Sequence, residues 1–131
     1  MQHPTLKPIL IIDDEEMILG LMSKALAKKG YPTDTANSGE EGIGKVLSGE
    51  YSLVITDIQM PGIQGTDVVA RIKDTEKRYI PVIGMSGTPW RLKEGLFDAV
   101  LSKPCSLQNL FASIEQILFS SPQCTDPQLS L

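Results

Sequence analysis

The chain has 131 residues, with 12 Lys and Arg against 16 Asp and Glu, for a formal charge of −4. That is the size of one domain with its own core. The acidic balance speaks against a nucleic-acid surface, which needs clustered basic residues, and no apolar run approaches the ~20 residues of a membrane span.

Met1-Gln2-His3-Pro4 carries neither the basic nor the apolar segment of a signal peptide, so a cytoplasmic chain without membrane attachment is expected. Cys105 and Cys124 lack metal spacing and read as free thiols. His3 is the one histidine. It leaves almost no room for Ser-His-Asp or Cys-His catalysis, or for a histidine-rich zinc site.

In chain order, residues 1–6 form a short extension. Lys7 to Ile12 reads as a strand, through the consecutive apolar residues Ile9 to Ile12. Asp13-Asp14-Glu15-Glu16 follows, then a helix to about Lys29 with Ile18, Leu21, Met22, Ala25 and Leu26 at helical spacing. Met17 and Met22 read as core filler, and Gly30 as the residue that ends the helix. Tyr31 to Ala36 is a more polar, outer strand. Ser38-Gly39-Glu40-Glu41 matches a capping box. It opens a second helix to about Ser48, with Ile43, Val46 and Leu47 inward and Gly42 and Gly44 weakening it.

Leu53-Val54-Ile55-Thr56-Asp57 reads as a buried strand, closed by the turn residues Met60-Pro61-Gly62. A third helix covers about Thr66 to Thr75, with Val68, Val69 and Ile72 inward. Ile80 to Met85 is the fourth strand, ending at Ser86-Gly87. Thr88 and Pro89 open a short fourth helix to about Glu94. Ala99 to Leu101 is the fifth strand. Ser106 caps a last helix with Leu107, Leu110, Phe111, Ile114, Ile117 and Leu118 on one face. Residues 120–131 are rich in Ser, Pro and Gln and read as a disordered tail. Five strands alternating with five helices predict an α/β, doubly wound parallel sheet over residues 7–119.

With strand order 2-1-3-4-5, strands one and three are neighbours, and Asp13, Asp14 and Asp57 converge at one sheet edge. Two unit charges ~4 Å apart repel by about 4 kcal/mol at an effective dielectric of 20. Such a cluster needs a cation or must take up protons, and hard oxygen ligands with room for water suit Mg2+. Ser86 and Lys103 end the fourth and fifth strands on the same edge. Carboxylates, a hydroxyl and an ammonium make a phosphoryl-transfer set, in which Asp57 can act as nucleophile. Taken alone, Asp13 and Asp14 could merely cap the first helix, and Lys103 could be a solvated loop lysine. Lys103 precedes Pro104, so that bond can be cis.

Asp13-Asp14, Asp57 with Met60-Pro61-Gly62 and Gly65, Ser86-Gly87 and Lys103-Pro104 resemble the receiver domain of two-component response regulators. The resemblance covers about Lys7 to Phe119. It implies a flavodoxin-like fold. It implies that Asp57 accepts a phosphoryl group from a histidine kinase or a histidine phosphotransfer protein. It also implies that Asp13, Asp14, Asp57 and the Gln59 backbone carbonyl hold Mg2+. Ser86 and Lys103 would contact the phosphoryl group and couple it to a switch that alters binding of a downstream protein.

The chain departs from the family at Val100, where the family has Tyr or Phe, and in a Ser86-to-Lys103 stretch shorter by about one helical turn. In many receivers the fourth helix, fifth strand and fifth helix form the output and dimer surface, and the usual dimer through it is therefore not expected. Trp90 is read as packed on the domain's own surface, or else as a partner anchor. Gly39 to Lys45 imitates a P-loop, but Val46 stands where its hydroxyl residue belongs. Other readings are a phosphatase with an Asp nucleophile, a binding module that works without phosphorylation, or a receiver excised from a hybrid histidine kinase. A phosphatase needs a general acid near its nucleophile, and Gln59 cannot serve. The expectation is a phosphoacceptor that transfers the group to itself and loses it slowly, not a turnover enzyme.

Overall fold

A computed structural model describes residues 6–89, 92 and 95–119. The elements in order are β1 (Ile9–Ile12), α1 (Glu16–Lys28), β2 (Thr33–Ala36), α2 (Gly39–Ser48), β3 (Leu53–Asp57), α3 (Gly65–Lys73), β4 (Val82–Ser86), β5 (Ala99–Ser102) and α4 (Leu107–Phe119). The five strands are parallel in the order β2-β1-β3-β4-β5, the flavodoxin-like arrangement expected. Four helices stand among the described residues where five were expected. Most of the missing one, Pro89 to Glu94 with Trp90, lies outside the described residues, as do the 120–131 tail, His3 and Cys124.

The central strands β1, β3 and β4 are buried along their whole length. Continuous apolar runs are what a strand covered on both faces requires. Alternate residues feed two cores. Leu10, Val54 and Val82 pack toward α2 and α3, while Ile9, Ile55 and Ile83 pack toward α1 and α4. β2 is half-buried, as an outer strand should be. Its Asp34 accepts from the Tyr51 hydroxyl at 2.7 Å and from Lys45 at 3.2 Å. Burial and then this bond push the Tyr51 phenol up to about 12.

Several helix faces differ from expectation. On α1 the buried stripe is Leu19, Met22 and Leu26. Met17 is 79% exposed and Leu21 63% exposed. Leu47, at the end of α2, and Leu107, at the start of α4, are each 49% exposed. Leu21 and Leu107 line an open apolar groove of about 600 Å³ between α1 and α4, with Phe111 and Lys24, Lys28 and Lys29. α2 instead turns Gly39 and Gly42 inward. A Cβ at Gly42 would stand 2.3 Å from Ile12 Cδ1, so the glycine that weakens the helix lets it lie against β1. The other side-chain predictions for α3 hold: Val68, Val69 and Ile72 are all buried.

The Ser38 hydroxyl accepts from the Glu41 amide at 3.1 Å, and the Glu41 carboxylate reaches back to the Asn37 amide at 2.8 Å, one residue earlier than a standard capping box. Lys29 is followed by Gly30 at φ 93°, the left-handed stop expected. Gly20 and Gly44 differ from Gly42, because an added Cβ there meets nothing within 4 Å. Gly20→Ala and Gly44→Ala are each expected to stabilise by about 1 kcal/mol through backbone entropy. Gly42→Ala is expected to cost about 1–3 kcal/mol through overpacking. Urea unfolding of the three variants checks this; a stabilised Gly42→Ala would refute the contact.

Candidate functional site

Register assembles the site. Ile12 of β1 pairs with Thr56 of β3, so the next residues, Asp13 and Asp57, come side by side at the carboxyl edge of the sheet. Asp57 pairs with Met85, which brings Ser86 one step beyond. Ser86 pairs with Ser102, and the Lys103 amide donates to the Ser86 carbonyl at 2.8 Å. This edge is where open α/β sheets bind ligands.

Carboxylate oxygens of Asp13, Asp14 and Asp57 lie within 4.8 Å of one another. Asp13 and Asp57 are buried and Asp14 is exposed. The Lys103 ammonium sits 2.9 Å from Asp57 Oδ1. An open pocket of about 310 Å³ is lined by Asp14, Glu15, Asp57, Gln59, Gly87 and Lys103. Ser86 is buried, and its Oγ accepts from the Thr88 amide at 2.9 Å. Among the expected residues, Asp14, Asp57, Gln59 and Lys103 line the pocket, while Asp13 and Ser86 are buried beside these residues. The Lys103–Pro104 peptide is cis.

Burial raises the Asp13 carboxyl above its ordinary value, and the charges of Asp57 and Asp14 add to this. The Glu15 amide, donating to Asp13 Oδ1 at 2.9 Å, and Lys103 oppose the rise without cancelling it. Burial alone would lower Lys103, but its hydrogen bond and charge pairing with Asp57 outweigh that and hold the ammonium above its usual range. Burial also raises the Cys105 thiol, which fits an unreactive cysteine.

The Asp13 shift makes a pH prediction. Its folded pKa lies above the unfolded value of 3.8, so the folded state binds the proton more tightly. The contribution of this carboxyl to the stability of the metal-free protein is therefore lost as pH rises through the folded pKa, and returns on acidification toward the unfolded one. Asp13→Asn keeps an acceptor for the Glu15 amide and removes the titration. Thermal midpoints with chelator, from about pH 4 to about pH 7, are expected to flatten in the variant. An unchanged slope would place the titration elsewhere.

Three carboxylates, one of them facing solvent, are a hard-oxygen donor set with room for water, which fits Mg2+ better than a softer metal. Sequence reasoning assigned no role to Glu15 or Gly87, which complete the pocket wall. The signal for Glu15 was its place directly after Asp13-Asp14. Among the described residues no helix is long and apolar enough to cross a membrane.

Residues 9–115 match the response regulator receiver domain family. The response regulator TrrA from Thermotoga maritima, solved in complex with Mg(2+)-BeF, is 34% identical, with a TM-score of 0.79 over 86% of this chain and 100% of that one. TrrA has also been solved in complex with the histidine kinase ThkA, at a TM-score of 0.78 over 86% of this chain and 99% of that one. The transcriptional regulatory protein TcrA of Mycobacterium tuberculosis is 30% identical over an alignment of 126 positions that covers 92% of this chain and 49% of TcrA. ArlR of Staphylococcus haemolyticus is 30% identical over 88% of this chain and 54% of its own length. The chain thus spans about half the length of the curated relatives it matches. On this family match and these relatives, the chain belongs to the response regulator receiver domain family of two-component systems.

Proposed function

We propose that Asp57 is the phosphoacceptor of this receiver, and that it takes the group from a phosphohistidine of a histidine kinase or histidine phosphotransfer protein. The observation that carries this is the carboxylate of Asp57 at the sheet edge, 2.9 Å from Lys103 and within 4.8 Å of Asp13 and Asp14. Asp13, Asp14, Asp57 and the Gln59 backbone carbonyl would hold Mg2+. When bound, the ion supplies positive charge beside the phosphoryl oxygens.

An Asp57 oxygen forms the new bond to phosphorus as the donor's P–N bond breaks. The imidazole leaves with the electron pair of that bond and takes a proton. Lys103 then trades its contact with Asp57 for the phosphoryl oxygens, and Ser86 trades the Thr88 amide for the same group. Because Lys103 and Ser86 are joined through the Lys103 amide and the Ser86 carbonyl, a new dianion at Asp57 pulls on two strand ends together. Altered binding of a downstream protein follows from that movement. Gln59 offers no acid or base, which supports slow self-dephosphorylation rather than turnover. A cytoplasmic site of action is part of the same reading.

A protein donor also needs a surface beside the pocket. The two helices that follow Asp13-Asp14 and Lys103-Pro104 form the apolar groove floored by Leu21, Leu107 and Phe111. Its rim of Lys24, Lys28 and Lys29 suits a donor helix with acidic flanks.

The test is intact mass after incubation with a small phosphodonor, with and without Mg2+. One phosphoryl group is expected, only with the metal, and hydroxylamine should remove it as it does other acyl phosphates. With Mg2+ binding established by titration, no gain would favour a receiver that works without phosphate.

A further inference from the structure

We infer that Glu15 is a specificity-determining residue of the phosphoacceptor pocket, biasing it against dianionic acyl phosphates and toward P–N donors of lower charge. The inference rests on Asp57 being the acceptor. Glu15 occupies the N-cap position of α1, yet its side chain makes no cap hydrogen bond. It lines the pocket instead, alongside Asp14, Asp57 and Lys103, and its charge acts on the Lys103 ammonium.

Counting charges shows what it adds. The three negative charges of Asp13, Asp14 and Asp57 would be balanced by Lys103 and one bound divalent cation. Glu15 is the surplus, so with the ion bound it decides whether the pocket presents no net charge or one negative charge to an arriving donor. Because it lies on the exposed wall, it meets the donor before the buried residues do.

Two small donors separate this effect from general catalysis. Acetyl phosphate is a dianion at neutral pH. Asp57 forms the O–P bond as the acyl P–O bond breaks and acetate leaves with the electron pair. Phosphoramidate is a net monoanion with an ammonium already on phosphorus. Its P–N bond breaks and ammonia leaves with that pair, needing no added proton. It shares the P–N linkage of phosphohistidine. One unit of donor charge facing one unit of wall charge ~6 Å away in water changes a rate roughly threefold.

The experiment measures phosphorylation rate constants with each donor at saturating Mg2+, for wild type, Glu15→Gln and Glu15→Asp. The acetyl phosphate to phosphoramidate ratio is expected to rise roughly threefold in Glu15→Gln and to stay at the wild-type value in Glu15→Asp. The difference should shrink as salt rises from about 0.05 M to about 0.5 M. An unchanged ratio in Glu15→Gln, or an equal fall of both rates, overturns the inference. Wild type that takes phosphate from neither donor overturns the Asp57 reading itself, and is told apart because the unaltered protein is then silent.

Discussion

Asp57→Asn is expected to gain no phosphoryl group from any donor, while its metal-free unfolding midpoint stays at or above that of wild type. The chemical half is direct, because an amide oxygen is not a nucleophile for phosphorus under these conditions. The stability half follows from the local charges. Without metal, Asp57 faces two carboxylates within 4.8 Å and one ammonium at 2.9 Å. At an effective dielectric of 20, each repulsion is about 3.5 kcal/mol and the attraction about 6 kcal/mol. All are smaller in practice because Asp14 and Lys103 face water. Removing the charge deletes two repulsions and one attraction of similar total size, and the asparagine oxygen still accepts from Lys103. Mg2+ should then raise the midpoint far less than in wild type, since one proposed ligand charge is gone. Intact mass and thermal melts with chelator and with Mg2+ read both halves. A phosphoryl gain that persists in the variant would move the acceptor to another residue, and a variant that melts well below wild type would make Asp57 a structural charge.

The fold was legible because β1, β3 and β4 announce themselves as apolar runs that end in polar residues at one edge. Once Asp13, Asp57, Ser86 and Lys103 follow successive parallel strands, register alone brings them together. Helix orientation was less legible. Spacing defines a helix but not the neighbour that covers each side of it. Leu107 shares a helical face with the buried Leu110 and Ile114, and Leu21 stands next to the buried Met22, yet among the described residues both line an open groove. Glycines hid their reasons entirely. Gly42 counts as a defect by propensity, and its cause, the Ile12 side chain, is thirty positions away in sequence. Val100 was noted as a missing aromatic. The structure leaves it 37% exposed beside Gly84 and puts Phe97 into the core there, its ring atoms 3.0 Å from where a Gly84 Cβ would be.

Gly65→Ala is expected to destabilise the protein by about 3 kcal/mol and to weaken Mg2+ binding with it. Gly65 is the first residue of α3, where alanine should help by propensity, by up to about 1 kcal/mol. Contact decides the sign. The added Cβ would stand 2.5 Å from the Asp57 carbonyl oxygen and 2.8 Å from Ile58 Cα. Both are backbone atoms, so no side chain can rotate away. The Gly65 amide also donates to the Ile58 carbonyl at 2.9 Å, which ties the helix start to the strand end that carries Asp57. Relief therefore requires α3 to back off or the Asp57 to Gln59 turn to bend. Either movement shifts a carboxylate and a carbonyl proposed to hold the ion. Urea unfolding gives the first effect and a Mg2+ titration followed by thermal shift gives the second. Stability within about 0.5 kcal/mol of wild type, the ordinary range for an uncrowded position, would mean that α3 yields freely and does not brace the strand that ends at Asp57.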